Sequence, residues 1–139
     1  MNILLCSEGA RLDAGGVGLV AVPQLAQSLA ELGHSVVLET FGTPIQGAET
    51  FASTPVKEAW HQPLNVFSYP AFGRYAFSPQ GFVNVMRHTA RADFVLLHSL
   101  YSFAVLTGYL ATRWYGKKYA VRPHGVLAPF QRTVSVRKK

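Results

Sequence analysis

The 139-residue chain has one cysteine, Cys6. It stands inside the first apolar run, so the chain cannot carry an internal disulfide framework, and a reducing compartment is the simplest setting. Acidic residues are few, 7 against 13 Lys and Arg, and charged residues make up 14% of the chain against 49% hydrophobic. Such low charge excludes a disordered chain and points to segments packed on more than one side. A secretory signal is missing too: "MNILLCSEGARLDAGG" has no basic n-region, and its apolar run ends at Ser7. The stretch "LYSFAVLTGYLATRWYG" has too few strictly apolar residues to cross a hydrocarbon core that needs about 20. No His, Cys, Asp and Glu stand at metal-ligand spacing, so no metal site is expected. The expectation is one soluble, cytoplasmic domain over residues 1–139.

What is present is a basic balance, +6 with a pI near 9.8. Three of the basic residues are the terminal "RKK", and the others are scattered without an interleaved aromatic stripe. That pattern argues against nucleic acid and leaves an anionic membrane surface as the polyanionic partner to expect.

Apolar runs of strand length alternate with helix-length amphipathic segments, the one-dimensional form of a parallel α/β sheet. "NILLCS" reads as a strand covered on both faces. Leu19, Val22, Leu25, Ala26, Leu29 and Leu32 recur at helical spacing up to a stop at Gly33, and Pro23 requires that helix to begin near Gly18 to Val20. "SVVLET" is the second strand. "FGTPIQGAETFASTP" reads as loop, with a helical turn near Val56 to His61, and "LNVFSY" as the third strand. Ser78 and Pro79 form a strong start signal for a helix through "SPQGFVNVMRHTARAD". "FVLLHS" is another buried strand, Tyr101 to Tyr115 a helix stopped by Gly116, and "KYAVRPHG" a fifth strand. With right-handed crossovers this order gives a doubly wound parallel sheet, and ligands of such sheets bind beyond the C-terminal strand ends. Ser7 to Gly18, His98-Ser99 and His124-Gly125 fall there.

The glycine-rich stretch "LDAGGVGLVAV" supports two chemistries. Gly16, Gly18 and Ala21 fit G-x-G-x-x-G/A with Glu39 about twenty residues on, the pattern of a nicotinamide dinucleotide domain. In that pattern, however, the first glycine follows the first strand at once, and here about ten residues intervene after Cys6, which counts against it. A longer loop ending in small residues at a helix N-terminus still offers free N–H groups and a positive dipole end to an anion. The glycines also have a purely conformational reading. A single strand-end histidine is more often structural than catalytic. Two of them, His98 and His124, on one edge beside the glycine loop point to a cleft.

"AGGVG…LAQSLAELGHSVVLET", "ADFVLLHS" and "AVRPHGVLAPF" together resemble the N-terminal Rossmann-like domain of retaining GT-B glycosyltransferases, the glycosyltransferase family 4-like group that includes sucrose synthases and bacterial mannosyl- and galactosyltransferases. The motifs stand in the family's order over nearly the whole chain. Of the family's D-x-x-H-x-H pattern, Asp93 and His98 match, and Leu96 replaces the first histidine. The resemblance implies a hexosyltransferase half that moves a sugar from a nucleotide-sugar donor to a glycan or lipid-linked acceptor, as in polysaccharide biosynthesis, without a separate cofactor. It implies that Gly15, Gly16 and Val17 approach the donor diphosphate or acceptor. By the same resemblance His98 and Ser99 lie at the transferred sugar, and Arg122 and His124 on the acceptor side. Arg122 would clamp an anion or be an ion-paired strand residue; Tyr69 and Tyr101 would stack on a sugar or pack in the core. A second, donor-binding Rossmann-like domain is the implied partner, so the chain by itself is expected to be inactive. The rival readings are a nicotinamide-binding domain and a non-catalytic interaction module of the same fold.

Overall fold

The computed structural model describes residues 1–8, 18–42, 49–50, 59–73 and 75–123. In chain order these form β1 (Asn2–Glu8), α1 (Gly18–Glu31), β2 (Ser35–Phe41), β3 (Glu49–Thr50), β4 (Leu64–Tyr69), α2 (Pro79–Arg91), β5 (Phe94–His98), α3 (Phe103–Tyr115) and β6 (Lys118–Arg122). The strands make one parallel sheet in the order β3-β4-β2-β1-β5-β6. The fold is α/β and Rossmann-like. From β1 the chain builds outward through α1 on one face, then returns through α2 and α3 on the other, as a single crossover hand requires. The strand order reverses between β1 and β5.

Alternation along the central strands supplies both halves of the core. Ile3, Leu5, Val36 and Leu38 face α1, where Val22 and Ala26 meet them. Leu4, Cys6, Val37, Phe41, Phe67, Val95 and Leu97 face α2 and α3. Leu4, Leu5, Val36, Val37, Leu38 and Leu97 have no exposed surface, and each such side chain contributes about 1.5–3 kcal/mol by leaving water.

The helix signals fall where expected. Ser78 Oγ accepts from Gly81 N at 3.2 Å and Pro79 opens α2; α1 begins at Gly18; Gly116 closes α3 in the left-handed region at φ 62. Two expectations need correction. Residues read as loop contain the two-residue β3, which gains its place only by pairing with β4. The last helix starts at Phe103, not Tyr101, because Ser102 caps it by accepting from Val105 N and Tyr101 stands in the left-handed region at φ 60. Residues 56–58 of the expected turn near Val56 to His61 lie outside the described residues, while Ala59 is helical and Trp60 and His61 lie in a turn. Helix α2 comes close to the sheet at Gly81, where a Cβ would stand 2.5 Å from the Phe41 ring.

Candidate functional site

The face that carries α1 shows the clearest pattern. Its first two rows across β4, β2, β1, β5 and β6 are Leu64, Val36, Ile3, Phe94, Lys118 and then Val66, Leu38, Leu5, Leu96, Ala120, apolar apart from Lys118 on the outer strand. The third, nearest the C-terminal ends, is polar throughout: Ser68, Thr40, Ser7, His98, Arg122. Period-two alternation puts all five on one face, and parallel register puts them in line. Ser68, Thr40, Ser7 and His98 are buried, while Arg122 on the outer strand is exposed.

Local hydrogen bonds fix part of this row. Ser7 Oγ donates to Glu8 O at 3.1 Å and Thr40 Oγ1 to Phe67 O at 3.2 Å, whereas Ser68 Oγ has no partner among the described residues. Just past His98, Ser99 N donates to Arg122 O at 2.9 Å and ties the two strand ends together. Ser99 and Tyr101 both hold positive φ, 79 and 60, which costs a non-glycine residue about 1 kcal/mol or more. Strain of this kind persists where the surrounding structure over-determines it, and it gathers at ligand sites.

Of the sequence-derived candidates, the structure brings His98, Ser99 and Arg122 together at one rim. Ser7 and His98 flank the reversal of strand order, the position at which open parallel sheets bind ligands. Gly15, Gly16, Val17 and His124 lie outside the described residues. Asp93, matched with His98 in the sequence pattern, stands at the far end of β5. There Asn2 N donates to its Oδ2 at 2.8 Å and its own N donates back to Asn2 O, a clamp between strand starts. Thr40 and Ser68 were not singled out from sequence; their signal was a polar residue interrupting each apolar run near its end.

Two other candidates turn out to belong to the core. Glu39 has no exposed surface, points to the α2 side and pairs with His88 Nδ1, so it cannot serve as a ribose-binding carboxylate at the rim. The nicotinamide reading loses its acidic residue by that placement. Tyr69 is fully buried edge-on to Phe41, ring centroids 5.8 Å apart, and has no face to offer a sugar. Around this hydrogen-bonded pair, Phe67 stacks on the His88 ring at 5.2 Å and Trp60 meets it edge-on at 6.1 Å. Burial, and then the charge of Glu39, push both the Cys6 thiol and the Tyr69 phenol above their ordinary values. Both groups therefore stay protonated and chemically inert at neutral pH.

Across the strand ends from the polar row, on the α3 side, an open groove of about 670 Å³ is lined by Tyr75, Phe77, Tyr101, Phe103, Leu106 and Tyr109, among others. Among the described residues, no three His, Cys, Asp or Glu side chains gather as metal ligands, and no helix is long and apolar enough to cross a membrane.

No family model matches the chain, and no curated protein or solved structure shows significant similarity to it.

Proposed function

We propose that the chain is the acceptor-side domain of a GT-B glycosyltransferase, moving a sugar from a nucleotide-sugar to a glycan or lipid-linked acceptor together with a donor-binding domain. The observation that carries this reading is the polar row with His98 beside Ser7 at the strand-order reversal. His98 has no exposed surface and Ser7 almost none, so on this reading the imidazole hydrogen-bonds a sugar hydroxyl only once the rim opens around the ligand, with the serine hydroxyl beside it as a second donor or acceptor. Arg122 at the end of the row offers a planar, two-pronged donor to a phosphate or carboxylate. The motif resemblance supplies the reaction class; the rim supplies groups suited to it.

Backbone NMR of the chain titrated with a panel of nucleotide-sugars, and separately with nicotinamide dinucleotides, tests the reading. Shifts at Ser7, His98, Ser99 and Arg122 with nucleotide-sugars alone are expected. A rim that responds to the nicotinamide dinucleotides, or to neither ligand, would overturn it.

A further inference from the structure

The aromatic groove has no part in the chemistry described so far, yet it is well built. Phe72 and Phe77 pair main chain to main chain, with N···O distances of 2.8 and 2.9 Å, and close a short hairpin after β4. Tyr75 O accepts from Phe103 N at 2.8 Å, which fastens that hairpin to the start of α3. The Phe103 ring sits 4.7 Å from that of Phe77, 6.2 Å from Phe41 and 6.4 Å from Phe82, so the floor is locked before any ligand arrives. The walls stay open to solvent: Tyr75, Phe77, Tyr101, Leu106 and Tyr109 are each between 41% and 76% exposed.

Its chemistry narrows the occupant. Among the described residues no carboxylate, amide or guanidinium lines the groove; its hydroxyls are the phenols of Tyr75, Tyr101 and Tyr109 at the open walls and that of Ser102, which already accepts from Val105 N as a helix cap. A free oligosaccharide needs a set of directional polar partners, whereas a hydrocarbon chain needs only apolar surface taken out of water. A volume of about 670 Å³ is that of an ordinary ligand site. The backbone links the groove to the polar row: Ser99 N donates to Arg122 O at the end of β5, and the strained Ser99–Tyr101 turn then carries Tyr101 into the groove wall. Arg122 is the single cation of that row, in a chain of net charge +6.

We propose that this groove takes the hydrocarbon chain of an anionic, lipid-linked acceptor, with Arg122 facing the acceptor's phosphate across the strand ends. The word acceptor rests on the glycosyltransferase reading; the binding itself is measurable without any transfer.

The test is calorimetric titration of the 139-residue chain with inorganic phosphate and with butyl, octyl and dodecyl phosphate below their micelle concentrations, alongside octyl glucoside as the neutral chain. Affinity is expected to rise at least about tenfold from butyl to octyl phosphate. Leu106→Ser and Tyr109→Ser, both at exposed positions, should flatten that rise while leaving the melting temperature in place. Arg122→Gln should abolish the preference for octyl phosphate over octyl glucoside and keep the dependence on chain length. Affinity independent of chain length, or a dependence that survives Leu106→Ser, overturns the proposal. So does sedimentation showing a dimer that Leu106→Ser dissociates, because the groove is then filled by a second copy. Chain-length-dependent binding without a rim response to nucleotide-sugars overturns the glycosyltransferase reading and leaves the groove. A rim response without chain-length dependence does the reverse.

Discussion

Ser7 on β1 and His98 on β5 are register partners on the two strands that flank the reversal of strand order, on the face that α1 covers. Neither strand alone makes a site. On the glycosyltransferase proposal, and with a donor-binding domain supplied, His98→Gln is expected to lower sugar transfer about 100-fold by misplacing the reacting centre. Arg122→Gln, at an exposed position, should raise KM for an anionic acceptor with stability unchanged within about 0.5 kcal/mol. Steady-state kinetics paired with urea denaturation checks both, and wild-type transfer by His98→Gln would remove His98 from the mechanism.

Under the sheet, Glu39 and His88 form a hydrogen-bonded pair with almost no exposed surface, and His88 Nε2 has no partner among the described residues. Removing one member leaves the other buried alone. His88→Ala is therefore expected to destabilise the fold by about 3–5 kcal/mol, while the double replacement Glu39→Met with His88→Leu recovers most of that loss. Urea denaturation of the three proteins decides it; a double variant no more stable than His88→Ala would show that the pair does more than satisfy its own buried polar atoms.

Gly→Ala inside a helix ordinarily gains up to about 1 kcal/mol. Gly81→Ala should have the opposite sign, a loss of about 1–3 kcal/mol, because its Cβ would stand 2.5 Å from the buried Phe41 ring. Making room with Phe41→Leu should turn Gly81→Ala from harmful to neutral in a double-mutant cycle.

Alkaline pH should destabilise the protein through Cys6 and then Tyr69. Both have folded values raised above their ordinary 9.0 and 10.0. Above pH 9 the unfolded chain releases the thiol proton and the folded chain keeps it, so stability is whole below that pH and falls as pH rises, by on the order of 1 kcal/mol per pH unit. Above pH 10 the phenol adds a second proton to the difference. Denaturant midpoints at pH 7, 9 and 10.5 should show this decline, and Cys6→Ala should move its onset upward toward pH 10.

Much of the fold was written locally. Strand runs, the Ser78-Pro79 start of α2 and the Gly33 and Gly116 stops depend on side-chain periodicity, capping and backbone freedom, all of which act between near neighbours. The places of Glu39 and Tyr69 stayed open in the sequence because their surroundings come from α2 and from β2, distant in sequence. A carboxylate near a strand end looks available until His88 closes on it, and an aromatic in a strand looks stackable until Phe41 covers its edge.

The sequence by itself determined which segments become strands and helices, and that a polar residue interrupts each of five apolar runs near its end. Only the tertiary structure decided that Ser68, Thr40, Ser7, His98 and Arg122 form one row. Each strand's alternation is local, whereas the register that aligns five strands is set by hydrogen bonds and packing between segments up to dozens of residues apart.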